Sequence, residues 1–170
     1  MAETDPARLV ICDAGPLIHL EELGCLDLLR GFAVVQVPNA VWQEVHRHRP
    51  SALRHRKLPL QRVSSLPEAA PELIKLAQAL LLDAGELEAL QLMQQSPAAI
   101  LLTDDAAARL VAERLDYEVH GTIGVVVRAL RRRQRTKRQV LNLLRSLPRR
   151  SSLFIERRLL ESIIEQVEHI

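Results

Sequence analysis

The chain has 170 residues, 48% of them apolar and 26% charged, which bounds it to one folded domain and excludes a wholly disordered polymer. Six Gly and nine Pro exclude a collagen-like or low-complexity chain, and no apolar run approaches the length of a membrane span. The net charge of +2 conceals segregation, because ten Lys and Arg and no acid lie between Arg128 and Arg150, and six more with no acid lie between Val45 and Pro67. Such basic blocks either meet phosphate backbones or form solvated helix faces. Only Phe32, Trp42, Tyr117 and Phe154 are aromatic, so modules that stack bases on aromatic platforms are disfavoured.

The first residues, Met1 to Pro6, lack the basic start and apolar stretch of a signal peptide. Leu9 to Asp13 reads as a short buried strand ending in an acid. Pro16 to Leu23 and Leu26 to Leu29 read as helical, separated by Gly24. The β-branched run Ala33 to Pro38 predicts a second strand, and Asn39 is the expected N-cap of a helix carrying Val41, Trp42, Glu44 and Val45. Arg47 to Lys57 predicts a loop or frayed helix, and Leu60 to Ser64 a short edge strand. Helices are expected from Pro71 and again from Asp83, followed by a strand from Ala99 to Thr103 that ends in Asp104 and Asp105. A helix over Ala106 to Leu115, a strand over Tyr117 to His120 and a helix from Gly121-Thr122 toward Arg133 complete the alternation. Two further amphipathic helices, Lys137 to Leu147 and Glu156 to Val167, are expected to be broken at Pro148.

Alternating strands and helices predict an α/β fold, a central parallel sheet flanked by helices on both faces, with extra C-terminal helices. Residues 1–135 form the expected core and 136–170 a helical extension packed on the same domain. Cys12 and Cys25 sit in apolar segments without CxxC or disulfide-framework spacing, and a reducing cytoplasm is the expected home.

In such sheets ligands bind beyond the carboxyl ends of the strands. Asp13 and Asp104-Asp105 end strands there, Glu44 follows the second strand, and Glu86 lies in the first turn of the helix opened by Asp83. Converging carboxylates repel unless protons or a cation neutralise them, and an all-oxygen set suits Mg2+ or Mn2+ better than zinc. Each acid also has a plainer reading. Asp13 and Asp104 or Asp105 are placed to cap helices, Asp83 and Glu86 have capping-box spacing, and Glu44 alone reads as an exposed helix acid. Thr103 reads equally well as a hydrogen-bond donor in the site and as an ordinary strand end. His46 and His48 diverge on a helix, while His19 and His120 are isolated and suit packing roles. Gly121-Thr-Ile-Gly124 lacks the Lys of a P-loop.

The stretches Val10 to Ile18, Val37 to Val45, Asp83 to Leu90, Leu101 to Arg109 and Gly121 to Gly124, in that order and spacing, resemble the PIN domain, in particular the group allied to VapC-type toxins. The resemblance implies a metal-dependent ribonuclease, plausibly the toxin of a toxin–antitoxin pair, with RNA as substrate and an antitoxin protein as partner. It places the family's acids on Asp13, Glu44, Glu86 and the Asp104-Asp105 segment, with Asp13, Glu86, Asp104 and Asp105 as ligands for Mg2+ or Mn2+ and Thr103 as accessory. Two departures stand out, Ala14-Gly15 where many toxins carry a hydroxyl after the first Asp, and Glu86 where Asp is frequent. Arg131, Arg132 and Arg133 are the expected RNA contacts, and the amphipathic C-terminal helices suggest a homodimer. The rival readings are a PIN-like protein that binds nucleic acid or protein without cutting, and a phosphotransfer receiver. The receiver is disfavoured because no Lys lies between Lys75 and Lys137.

Overall fold

The computed structural model describes residues 8–170, so the segment read above for a signal peptide lies outside the described residues. Five strands, β1 (Leu9–Cys12), β2 (Val34–Pro38), β3 (Leu60–Val63), β4 (Ile100–Leu102) and β5 (Glu118–His120), form one sheet in the order β3-β2-β1-β4-β5. Every pairing is parallel. Eight α-helices connect and follow them: α1 (Ala14–Glu22), α2 (Asn39–His48), α3 (Pro71–Ala79), α4 (Ala84–Gln95), α5 (Ala106–Arg114), α6 (Thr122–Arg131), α7 (Lys137–Arg150) and α8 (Arg157–Glu168). Short 3-10 turns occupy Leu26–Gly31 and Pro50–Leu53. Among the described residues, no helix is long and apolar enough to cross a membrane.

Alternation along the strands divides the core. Val10, Cys12, Ile100 and Leu102 face one side, with Leu17 and Leu20 of α1, Val126 of α6 and Val140 and Leu144 of α7. Ile11 and Leu101 face the other, with Leu90 and Met93 of α4 and Val111 of α5. Burying each such side chain fully contributes roughly 1.5–3 kcal/mol, so both faces of the central strands must be covered for the parallel sheet to hold. Helix α6 is matched to its own dipole, since its first amide meets the Asp104 carboxylate and its last turn carries Arg128 and Arg131.

Two expectations are corrected. Asn39 is the first residue of α2, not its cap, and its Oδ1 accepts from Arg62 of β3 at 2.9 and 2.5 Å. The amide of Ala40 donates instead to Glu88 of α4 at 2.7 Å, a cap supplied from another helix. Helix α7 also continues through Pro148 to Arg150. The proline stands in the last turn, where Val140, Leu144 and Leu147 are already buried, and the Ser151 amide still closes on the Leu147 carbonyl at 3.0 Å. Loss of one bond near a helix end is outweighed by that burial.

Candidate functional site

The chain runs outward from β1 to β2 and β3, then returns to place β4 on the other side of β1. The strand order therefore reverses at β1 and β4, the position at which parallel sheets open a crevice. Asp13 leaves the end of β1 and caps α1, its Oδ1 accepting from the Ala14 amide at 2.8 Å. Its Oδ2 accepts from the hydroxyl of Thr103, at the end of β4, also at 2.8 Å. The same Thr103 oxygen accepts from the Asp105 amide at 3.1 Å. Thr103, fully buried, thus ties the two acidic strand ends together.

Helices α2 and α4 bring the remaining acids. Asp83 and Glu86 form a reciprocal capping box, the Glu86 amide donating to Asp83 Oδ1 and the Asp83 amide to Glu86 Oε2, each at 2.8 Å. The bond from Ala40 to Glu88 fixes α4 against α2, which carries Glu44. Gly85 makes the approach possible: a Cβ there would meet Val41 Cγ2 at 3.1 Å, Asp83 Oδ1 at 3.5 Å and Glu44 Oε2 at 3.6 Å. Asp105 caps α5, its Oδ1 accepting from the Ala108 amide at 2.8 Å.

The electrostatics shows which acids share one field. Burial pushes Asp13 from 3.8 up to about 6 against the opposing bonds from Ala14 and Thr103, and the charges of Asp83 and Glu44 add to the rise. Glu86 is pushed from 4.5 up to about 7, by burial first and then by Asp83, Asp105 and Asp13, against its own cap bond. Glu44 is raised by burial and by Asp83, with His48 and Arg47 opposing. The structure therefore brings together Asp13, Glu44, Glu86 and Asp105. It adds Asp83, which sequence reasoning treated only as a cap; an Asp heading a helix carries no local signal that its charge also acts on three other acids.

The carboxylate of Asp104 is engaged elsewhere. It accepts from His19 Nδ1 at 2.7 Å, from the Thr122 amide at 2.7 Å and from the Thr122 hydroxyl at 2.6 Å. Burial would raise this group, but His19 and Thr122 outweigh it and hold Asp104 below the ordinary carboxylate range. With Asp104 ionised, the proton in its bond to His19 sits on Nδ1. A Cβ on Gly121 would lie 2.6 Å from Asp104 Oδ1 and 3.0 Å from an Arg109 nitrogen, so the bare backbone is needed there for packing. His19, expected to be a hydrogen-bonded packing residue, is here one wall of this cradle, while Arg109 and Thr122 were given no site role in the sequence reading. Burial together with the charges of Asp13 and Asp104 raises the Cys12 thiol well above its ordinary value, which removes it as a nucleophile.

The donor set fits a hard divalent cation in chemistry, since it consists of carboxylates that raise one another's proton affinity. Each cap also leaves capacity, because Asp105 and Glu86 use one oxygen and a bonded carboxylate oxygen still carries a lone pair. As the caps hold them, no three His, Cys, Asp or Glu side chains among the described residues are gathered to hold one ion.

Arg47 and His48 lie near enough to Glu44 to act on its charge, and Arg109 donates to the Thr103 carbonyl at 3.3 Å. Arg131, Arg132 and Arg133 are placed otherwise. They stand at the far end of α6 from Thr122, roughly 14 Å along the helix at 1.5 Å per residue. Arg133 itself ends the helix in the left-handed region, with φ of 55°.

A profile of the PIN domain matches residues 9–169, nearly the whole chain. No curated protein matches it.

Proposed function

The chain belongs to the PIN domain family, whose members are generally nucleases, and from that premise we propose that it is a Mg2+- or Mn2+-dependent endoribonuclease. One observation carries the reading: Asp13, Glu44 and Glu86 are all raised by burial and by neighbouring carboxylates, so the crevice concentrates negative charge that a cation would neutralise. Asp13, Glu86 and Asp105 would hold the ion, with Glu44 at the α2 wall and Asp104 steadying the turn that carries Asp105. When bound, a divalent cation supplies a more acidic water and a clamp for the leaving oxygen of a phosphodiester.

The protein's own groups do the rest. Thr103 holds Asp13 Oδ2 in place by its hydroxyl, and the α1 amide holds Oδ1. Glu86, pushed up to about 7, holds a proton more readily than an ordinary glutamate, and a bound cation would favour its release. Arg47, which acts on Glu44, and Arg109, bonded to the Thr103 carbonyl, are cations through which a phosphate backbone would be drawn in; Arg131, Arg132 and Arg133 would meet RNA only on a strand that runs the length of α6. A role as the toxin of a toxin–antitoxin pair is supported by the order and spacing of the stretches from Val10 to Gly124. Self-association is supported by Phe154, just before α8, and Leu159 within it, which stay exposed while Leu160 and Val167 are buried.

Cleavage of a labelled RNA with and without EDTA tests the reading. Cleavage that EDTA abolishes and excess Mg2+ restores, and that is absent in the D13N variant, is expected. RNA binding without metal-sensitive cleavage would instead support a non-cutting PIN-like module, the reading favoured by acids that remain on their caps.

A further inference from the structure

We propose that the segment from Arg49 to Lys57, which follows α2, is an arm that holds the phosphate backbone of single-stranded RNA beside the acidic crevice. The inference rests on the nuclease reading for the identity of its ligand and extends it to how that ligand is held. The segment is firmly seated. Ala52 is buried, and the backbone closes on itself through the amides of Ala52, Arg54 and Leu58, which donate to the carbonyls of Arg49, Ser51 and His55 at 3.0, 3.2 and 3.1 Å. His55 pairs with Glu21 of α1 at 2.9 Å and ties the segment to the body of the protein. On this frame Arg49, Arg54, Arg56 and Lys57 are exposed, and none of the four side chains has a hydrogen-bond or ion-pair partner among the described residues. No acid lies between Val45 and Pro67 to neutralise them locally.

Position and composition select the ligand. Helix α2 starts where β2 ends, carries Glu44, and closes at His48, four residues or roughly 6 Å further along its axis. Arg47 and His48 act on the charge of Glu44, so the cationic segment begins at the α2 wall of the crevice. The Arg-rich stretch from Arg128 is more heavily engaged within the protein. Arg128 stacks on Phe32, Arg135 pairs with Asp27, Arg145 with Glu168 and Lys137 with the Glu168 carbonyl, and Arg132 also has a partner. Among the described residues, no exposed large apolar side chain lies between Val45 and Pro67. The centres of protein interfaces are apolar, so a cationic surface without such side chains suits a polyanion better than a protein. Trp42 of α2 is half-buried, with the Arg62 guanidinium 5.7 Å from its ring centre, so it is no open platform for a base. Contacts of this kind fix a strand by its phosphates and carry no sequence preference.

The test is fluorescence anisotropy of a labelled 12-nucleotide oligouridylate with the full chain in EDTA, which keeps the RNA uncut, over a salt series. Each phosphate contact on a single strand adds about 0.7 to the slope of log affinity against log salt, so R54Q/R56Q should flatten the slope by about 1.4 and bind roughly ten-fold more weakly at 100 mM salt. R138Q/R149Q removes two exposed charges from α7 instead and should change affinity by less than about two-fold, since charges beyond the screening length contribute little. All four positions are exposed, so thermal melts of both variants should match wild type. An unchanged slope in R54Q/R56Q, equal weakening by the two variants, or wild type that does not bind the RNA overturns the proposal. So does poly-L-glutamate that displaces the RNA and loses as much affinity in R54Q/R56Q, which would give the surface to an acidic protein. The two readings fail separately: RNA that binds as expected but stays intact when Mg2+ is supplied ends the nuclease reading and supports the arm, whereas Mg2+-dependent cutting with an unchanged slope in R54Q/R56Q ends the arm alone.

Discussion

Replacing Asp13 with Asn removes one charge from the crevice while keeping the shape of the side chain, and the consequence for stability follows from its titration. In the unfolded chain the carboxyl titrates at 3.8 and in the folded protein at about 6, because it is buried beside Asp83 and Glu44. At 1.36 kcal/mol per unit that difference amounts to roughly 3 kcal/mol against the folded state. The sign follows from linkage: the folded state binds this proton more tightly, so the penalty is fully present above pH 6, shrinks as pH falls through 6, and is gone below 3.8. Asn keeps an acceptor for the Ala14 amide but forces the Thr103 hydroxyl, which already accepts from Asp105, to reorient, a loss of about 1 kcal/mol. The net gain is roughly 2 kcal/mol, or an increase in Tm of roughly 4–8 °C for a chain of this size. Thermal melts of wild type and D13N in EDTA should show that gain at pH 7.5 and its disappearance near pH 4. In millimolar Mg2+ the wild type should gain stability and D13N little, since a ligand stabilises only what it binds. A D13N protein less stable than wild type at pH 7.5 in EDTA would refute the electrostatic argument.

E86Q keeps an acceptor for the Asp83 amide, so its Tm should stay within the effect of about 1 kcal/mol while cleavage falls on the order of a hundred-fold or more; a matched loss of stability and activity would make Glu86 a cap alone. D104N should lose roughly 2–4 kcal/mol in denaturant melts, because three bonds that hold a charged carboxylate are disrupted, whereas D105N, with Asn a good N-cap, should fold normally and lose cleavage. The reverse ranking would move the ligand role to Asp104. G121A should destabilise by about 1–3 kcal/mol through the 2.6 Å clash with Asp104, read as a lower denaturant midpoint at unchanged slope; an unshifted midpoint would show that the cradle has slack.

Much of this architecture was legible because its signals are local. Short β-branched runs ending in Asp13 and Pro38 mark strands of a buried parallel sheet, and strand-end acids mark its carboxyl edge. The capping box at Asp83 and Glu86 was readable from spacing alone. What was not legible depends on contacts between distant segments. Glu88 capping Ala40 across two helices displaced Asn39 from its expected role, and nothing near position 39 announces it. The hydrogen bonds that set Asp104 apart from Asp105 come from His19, 85 residues earlier, and from Thr122. A groove lined by β4, β5, α6 and α8 also takes in Arg8 and Phe32, which nothing in the Arg-rich stretch from Arg128 announces.

Helix α6 works as a spacer bar. It begins on the Asp104 cradle and ends at Arg131, so its rigid length holds that arginine roughly 14 Å along the axis from the cradle.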